Sequence, residues 1–404
     1  MKSILSMILS VLFLIASTVT GFATPPKTPI TWKTITVDKA FRSEGVAVAD
    51  VNKDGKNDIL AGDVWYEAPD WKVHVIREDR KFDPHRYSQT FACWADDINK
   101  DGWSDLIVVG FPGAPCHWYE NPKNKPGKWK EHEIWHSACN ETPQYVDLFG
   151  TGKRVLLMAW QPKGQQRMGQ MAWFAPGEDP TKTWNMHPIS EPSKKGKEIP
   201  GTFKYSHGLG IGDVNADGKQ DVLCTGGWWQ QPGKKSKGPW QFHPTNLGPN
   251  CADMFTYDMD SDKLPDIISS SAHAFGIWWH RQTPDQKGNA FVRRDLFKKL
   301  FSQSHAMHCV DINGDGLKDL VTGRRWWAHG PKGDPGSDGP AVLYWFEAIR
   351  GSDGIIRFEP HKIHDDSGIG TQFVVIDFDG DGLLDVVVSN KKGVYVSLQQ
   401  ARKD

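Results

Sequence analysis

The sequence predicts an all-β fold: a seven-bladed β-propeller with calcium-binding hairpin loops and a ring closed by the N-terminal strand. Three observations predict it. An acidic motif, D-x-[ND]-x-D-G-x-x-D, starts at residues 50, 97, 213, 311 and 377, with a variant at 258 and a degraded copy at 147. The steps are 47, 50, 66, 45, 53 and 66 residues, and periods of about 40–50 residues mark propellers and repeat arrays. Aromatic pairs and W-x-x-H-x-I segments return in the same phase, giving each repeat about four strands. The Trp32–Ile35 strand precedes the first acidic loop, while Val394–Leu398 ends the last repeat, so the first strand is expected to complete the last blade.

Each acidic loop presents oxygens at positions 1, 3, 5 and 9, and a glycine at 6 allows the tight turn. The sets are Asp50, Asn52, Asp54 and Asp58; Asp97, Asn99, Asp101 and Asp105; Asp213, Asn215, Asp217 and Asp221; Asp311, Asn313, Asp315 and Asp319; and Asp377, Asp379, Asp381 and Asp385. The variant keeps Asp258, Asp260, Asp262 and Asp266 but has Lys263 in place of the glycine. With a backbone carbonyl at position 7, such a loop can surround one hard cation, so several structural Ca²⁺ ions are expected. A closed carboxylate cage leaves no place for a substrate. The flanks are short apolar runs, Gly45–Ala49 and Ile59–Ala61, which read as hairpin strands rather than EF-hand helices.

The second recurring element is an aromatic pair: Trp65-Tyr66, Trp118-Tyr119, Trp173-Phe174, Trp228-Trp229, Trp278-Trp279 and Trp345-Phe346. His74, His132, His187, His243 and His361 follow in phase. Residues that every repeat carries serve what every repeat needs, so these are assigned to packing.

Met1–Ala23 has the form of a secretory signal: Lys2, a largely apolar run from Ile4 to Val19, and the small-x-small site Gly21-Phe22-Ala23. The expectation is a secreted or periplasmic protein with one propeller domain over residues 24–404. No later run is long enough to span a bilayer. The net charge of −1 argues against a nucleic-acid partner. Among the six cysteines, Cys116 and Cys139 lie in successive repeats and are the expected disulfide, whereas Cys224 and Cys309 read as buried thiols within apolar strands.

A functional site should break the repeat. Ligands favour a mouth of the propeller channel, built from several blades. One phased set, about six residues before each acidic loop, contains Glu44, Glu141, His207 and His305, with Phe91, Ala252 and Thr371 at the equivalent places. A second set, just after the second strand, includes Trp160, Gln161, His273, Arg324 and Arg325, and the Asp83–Tyr87 insertion should reach the same face. Histidines plus a glutamate near one axis make a candidate transition-metal site for Zn²⁺ or another divalent ion, with His207, His305, Glu141 and Glu44 as ligands.

The acidic loops are those of FG-GAP/VCBS-type repeats. The Ser304–Gly316 segment, the W-[YF]-E-x-P strands and the Ala272–Gly276 loop together resemble the propeller domain of aldos-2-ulose dehydratase/isomerase, also called 1,5-anhydro-D-fructose dehydratase. The resemblance implies a carbon–oxygen lyase that removes a proton α to a carbonyl and expels a β-hydroxyl, with a metal polarising the carbonyl. His273, His308 or His85 would then be acid or base, and Tyr87, Tyr205, Arg324 and Arg325 would hold sugar oxygens or a carboxylate. The competing expectation is a non-catalytic, calcium-stabilised propeller that binds a glycan or protein on its open face. A hydrolase is the weakest reading, since no G-x-S-x-G motif occurs.

Overall fold

The computed structural model describes residues 29–165, 167–233, 238–284 and 290–400; the expected signal segment, Met1–Ala23, lies outside the described residues. Every regular element among the described residues is a β-strand, 28 in all. No helix among them is long and apolar enough to cross a membrane.

The first blade shows the plan. Ala47–Ala49, Asp58–Ala61, Val64–Glu67 and Lys72–Val75 form an antiparallel meander. The second strand is buried at every position, and the fourth faces solvent on most of its residues. The same contrast explains the sequence: continuous apolar runs sit between blades, and alternating polar runs lie at the rim. Ile59 and Val64 of this blade pack with Val386 and Val396 of the last one. Each such side chain contributes about 1.5–3 kcal/mol by leaving water.

Closure occurs as the sequence predicts. Thr31–Asp38 pairs antiparallel with Gly393–Gln400, placing Trp32 opposite Gln399 and Ile35 opposite Val396. The first and last strands thereby share one sheet, the first covering the edge that the last would otherwise expose.

Seven separate blades do not form. The strands make five four-stranded blades and one eight-stranded sheet. In that sheet Leu209–Gly212 pairs in parallel with Cys251–Tyr257, Gly210 lying opposite Met254. The cause is local. A Cβ on Gly210 would lie 2.1 Å from the Met254 carbonyl oxygen, and one on Gly212 would lie 2.2 Å from Thr256 Oγ1. Alternate glycines remove the side chains that would hold the two innermost strands apart.

The calcium cages are also corrected. In all six well-kept loops the ninth-position aspartate is fully buried and uses its carboxylate oxygens to accept backbone N–H groups. Asp58 accepts from Val51 and Ala68, each at 2.9 Å; Asp319 accepts from Ile312 at 3.0 Å and Ala348 at 2.7 Å. First-position aspartates do the same within the loop: Asp50 accepts from Asp54 at 3.1 Å and Gly55 at 3.0 Å. Arg281 pairs with Asp260 and Asp262 in the variant loop, so a guanidinium offsets part of its charge. The motif is therefore a hydrogen-bonded clasp that ties the loop to the start of the hairpin and to the end of the third strand. Burial pushes the carboxyls of Asp58 and Asp319 up to about 6.

The recurring histidines have a common role. His74, His132, His187, His243 and His361 lie directly across from Trp65, Trp118, Trp173, Trp228 and Trp345 on neighbouring strands. Each imidazole stacks on its indole, with centroids 3.7 Å apart for Trp173 and His187 and 4.6 Å for Trp345 and His361. His74, His132 and His361 also meet Glu67, Glu120 and Glu347 at 2.7, 3.1 and 3.2 Å.

The Cys116–Cys139 disulfide is absent. All six cysteines are free thiols. Cys116 points into an inter-blade core, its sulfur 3.6 Å from Met158 Sδ, rather than toward a loop. Cys224 is buried and Cys309 half-buried.

Candidate metal centre in the propeller mouth

The ends of the inner strands opposite the acidic loops are tied to one another by backbone bonds. Glu44 N donates to Thr90 O at 2.9 Å, Glu141 N to Ser206 O at 3.2 Å, and Thr371 N to Glu44 O at 2.8 Å. Gly370 permits one of these approaches, since a Cβ there would sit 1.8 Å from the Glu44 carbonyl oxygen. Residues far apart in the chain are thus gathered at one mouth.

Four side chains converge there. Ligand atoms of Glu141, His207, His273 and His305 all lie within 4.8 Å of one another. Glu141 Oε2 is 3.1 Å from His305 Nε2 and 3.5 Å from His207 Nε2. His207 Nε2 lies 2.7 Å from His273 Nε2. Glu141, His207 and His305 are buried, and His273 is half-buried.

The electrostatics favour neutral His273 and His305 beside an ionised Glu141 carboxylate. Burial, reinforced by the neighbouring His305, His207 and Arg325, lowers His273 to about 2. Burial and then Arg325 lower His305 to about 4. Burial opposes ionisation of Glu141, but hydrogen bonds from His207 and His305 hold its carboxyl well below the usual range. Neutral imidazole nitrogen and ionised carboxylate are the forms that bind a divalent transition metal.

Arg325 joins this cluster to Glu44. One guanidinium nitrogen is 3.4 Å from Glu141 Oε2 and the other 3.2 Å from Glu44 Oε1. Glu44 Oε2 accepts from Ser88 N and Oγ at 3.1 and 2.9 Å. Burial raises the Glu44 carboxyl despite Arg325 and Lys391. Glu44, expected as a ligand, is therefore separated from the histidines by an arginine.

The other predicted residues fall in different places. Tyr87 lines the cavity, its hydroxyl donating to Ala328 O at 2.8 Å. Tyr205 lines the same cavity at a backbone φ of 66° and is 42% exposed. His85 is largely exposed and meets Asp83 at 3.0 Å. His308 faces deeper into the channel and donates from Nε2 to Phe373 O at 2.9 Å. Arg324 is buried beside Gly339 and away from the cluster, and its Nε and Nη1 lack a partner among the described residues.

Sequence reasoning missed three contributors. Lys391 is buried among the rings of Phe41, Tyr87 and Trp327, with Nζ 4.6 Å from the Tyr87 centroid. Burial lowers it to about 8. It stands six residues after Asp385, as Arg325 stands six after Asp319, so repeat phase could have found it. His329 and Asp334 come from the insertion after Gly323, which has no counterpart in other repeats. His329 Nδ1 is 3.0 Å from both carboxylate oxygens of Asp334.

The cavity above the cluster has a volume of about 490 Å³. Its walls include Tyr87, Phe91, Phe111 and Phe203, with Tyr205 at the rim. Polar groups are concentrated on the floor, where Glu141, His207, His273 and Arg325 meet. An apolar wall with a few convergent polar groups is the usual form of a small-molecule site.

No curated protein matches this chain. Among solved structures, the chain is similar to a rhamnogalacturonan lyase PL11 of Bacillus licheniformis, at 11% identity over 92% of this chain and 73% of that one, with a TM-score of 0.42. It is similar to BBS1N in complex with ARL6DN at 9% identity over 92% and 97%, with a TM-score of 0.46. It is also similar to YCF48 from Cyanidioschyzon merolae at 10% identity over 91% and 98%, with a TM-score of 0.44. Likenesses this distant assign no activity. The resemblance to a particular sugar dehydratase is corrected accordingly: what the sequence matches is an FG-GAP-like repeat, over residues 258–322.

Proposed function

We propose that the mouth is a metal-centred binding site for a carbohydrate. The observation that carries this reading is the convergence of Glu141, His207 and His273 on the floor of an aromatic-walled cavity, with His305 buried against them. A bound divalent ion would accept a carbonyl, hydroxyl or carboxylate oxygen of the ligand. Arg325, already aligned between two carboxylates, would hold a second oxygen. The exposed rings of Phe203 and Tyr205 would stack on the apolar face of a sugar, since an aromatic ring offers a large flat apolar surface. An exported protein meeting extracellular or periplasmic glycans fits the apolar Ile4–Val19 segment.

Calorimetry with acidic and neutral oligosaccharides tests this reading on the zinc-loaded protein. Binding should disappear after chelation and fall at least tenfold in Tyr205→Ala. Binding that survives chelation unchanged would remove the metal from the account.

A second reading, β-elimination on the same ligand, is favoured by Arg325 beside the cluster, where a guanidinium would offset charge developing on a carbonyl oxygen. It requires unsaturated product, seen as new ultraviolet absorbance with uronides or keto sugars. Tight binding without product would leave the protein a binding module.

A further inference from the structure

We infer that the mouth holds two cation subsites, with the His273 imidazole shared between them. This rests on the metal-centred reading of the first cluster and adds a second ligand set to it.

The two nitrogens of His273 face different partners. Nε2 points at His207, 2.7 Å away, within the first cluster. Nδ1 is buried, has no hydrogen-bond partner among the described residues, and lies 3.8 Å from Asp334 Oδ2. Ligand atoms of His273, His329 and Asp334 lie within 4.8 Å of one another, forming a second group beside the first. The His273 and His329 rings stack with centroids 4.7 Å apart, so both imidazoles present edges toward the same carboxylate.

The insertion carrying this second set is held in place. Ala328 N donates to Gln303 Oε1 at 2.9 Å, and Tyr87 donates to the Ala328 carbonyl. At the far end, a Cβ on Gly336 would lie 2.5 Å from Phe275 Cζ, so the loop lies close against the strand that follows His273. Asp334 is half-buried while His329 is exposed, so the second subsite opens to solvent more than the first. Two imidazoles and a carboxylate, with an open side, suit a divalent transition ion that keeps a position for water or ligand. Occupation of both subsites would require the ring N–H of His273 to give its proton to solvent, leaving an imidazolate with one lone pair for each cation. The ligand would then meet two cations rather than one.

The test is a titration of chelator-stripped full-length protein with Co²⁺, followed by calorimetry and visible absorption. Two equivalents per chain are expected for the wild type, and one for His329→Gln/Asp334→Asn. His329 is exposed on a loop, and His329→Gln alone, expected to weaken the second equivalent at least tenfold, guards against a misfolded double variant. Loaded with Cu²⁺, the wild type should show an electron paramagnetic resonance signal well below its copper content, with full intensity per copper restored in the double variant. One equivalent in the wild type, retained in the double variant, would overturn the second subsite and leave the first standing. No uptake at all would overturn both. Two equivalents with full signal intensity would overturn the sharing of His273.

Discussion

His207 and His273 bring their Nε2 atoms to 2.7 Å from one another, although 66 residues separate them in the chain. Two rings at that distance can share one proton, or both can donate lone pairs to one cation. Glu141 and His305 supply the remaining sides of the cluster. Zinc at a hundredfold excess over its dissociation constant should stabilise the fold by about 2.7 kcal/mol, seen as a rise in melting temperature. His273→Ala should abolish most of that rise. An equal rise in wild type and variant would separate zinc binding from these residues.

The ninth-position aspartates make a prediction about stability alone. Asp319 satisfies the N–H groups of Ile312 and Ala348, both at the edge of a buried hairpin. Asp319→Ala leaves both unpaired and should cost about 2–6 kcal/mol, at about 1–3 kcal/mol for each unsatisfied buried group. Urea unfolding of this variant beside Asp315→Ala, whose residue lies on the exposed turn of the same loop, measures the difference; the second should lose far less.

Much of this arrangement was legible in the sequence, and the misses have physical causes. Repeat phase placed Glu141, His207 and His305 at one mouth because a propeller blade repeats its register as well as its strands. Phase could not separate Glu44 from them, since Arg325 reaches in from another strand to divide the two carboxylates. His329 and Asp334 sit in an insertion where phase has no meaning. The aspartate loops misled because oxygens spaced for a cation are equally spaced for backbone N–H groups. The merged sheet was written in Gly210 and Gly212, whose significance depends on how near the neighbouring strand comes.

The Trp–His stacks should contribute through contact rather than charge. His132 lies on Trp118 with centroids 4.4 Å apart and meets Glu120 at 3.1 Å. His132→Ala should cost about 1–2 kcal/mol, from a ring pair worth about 0.5–1.5 kcal/mol and one lost hydrogen bond. His132→Phe should recover most of that loss in thermal unfolding. Equal losses for the two substitutions would assign the role to the Glu120 bond.

His280 gives the sign of a pH effect away from the mouth. It is fully buried, with Nε2 3.0 Å from Ser269 Oγ, and burial followed by the Arg293 charge lowers it to about 4 from 6.5. As pH falls through 6.5 the unfolded chain takes up this proton and the folded chain does not, so stability contributed by neutral His280 is lost progressively down to about pH 4. His280→Gln should therefore lose less stability than wild type between pH 7 and pH 5. Parallel denaturation curves at the two pH values decide it.

The central claim is that the Glu141–His207–His273–His305 cluster holds a transition dication, and metal content measures it most directly. Wild type and His207→Ala/His305→Ala would be saturated with Zn²⁺, freed of loosely bound ions by gel filtration, and assayed for zinc per chain, with circular dichroism confirming the β-fold of both. The account predicts that the double variant holds one equivalent fewer than the wild type. A wild type that carries no zinc, or a folded double variant that carries as much, would contradict it.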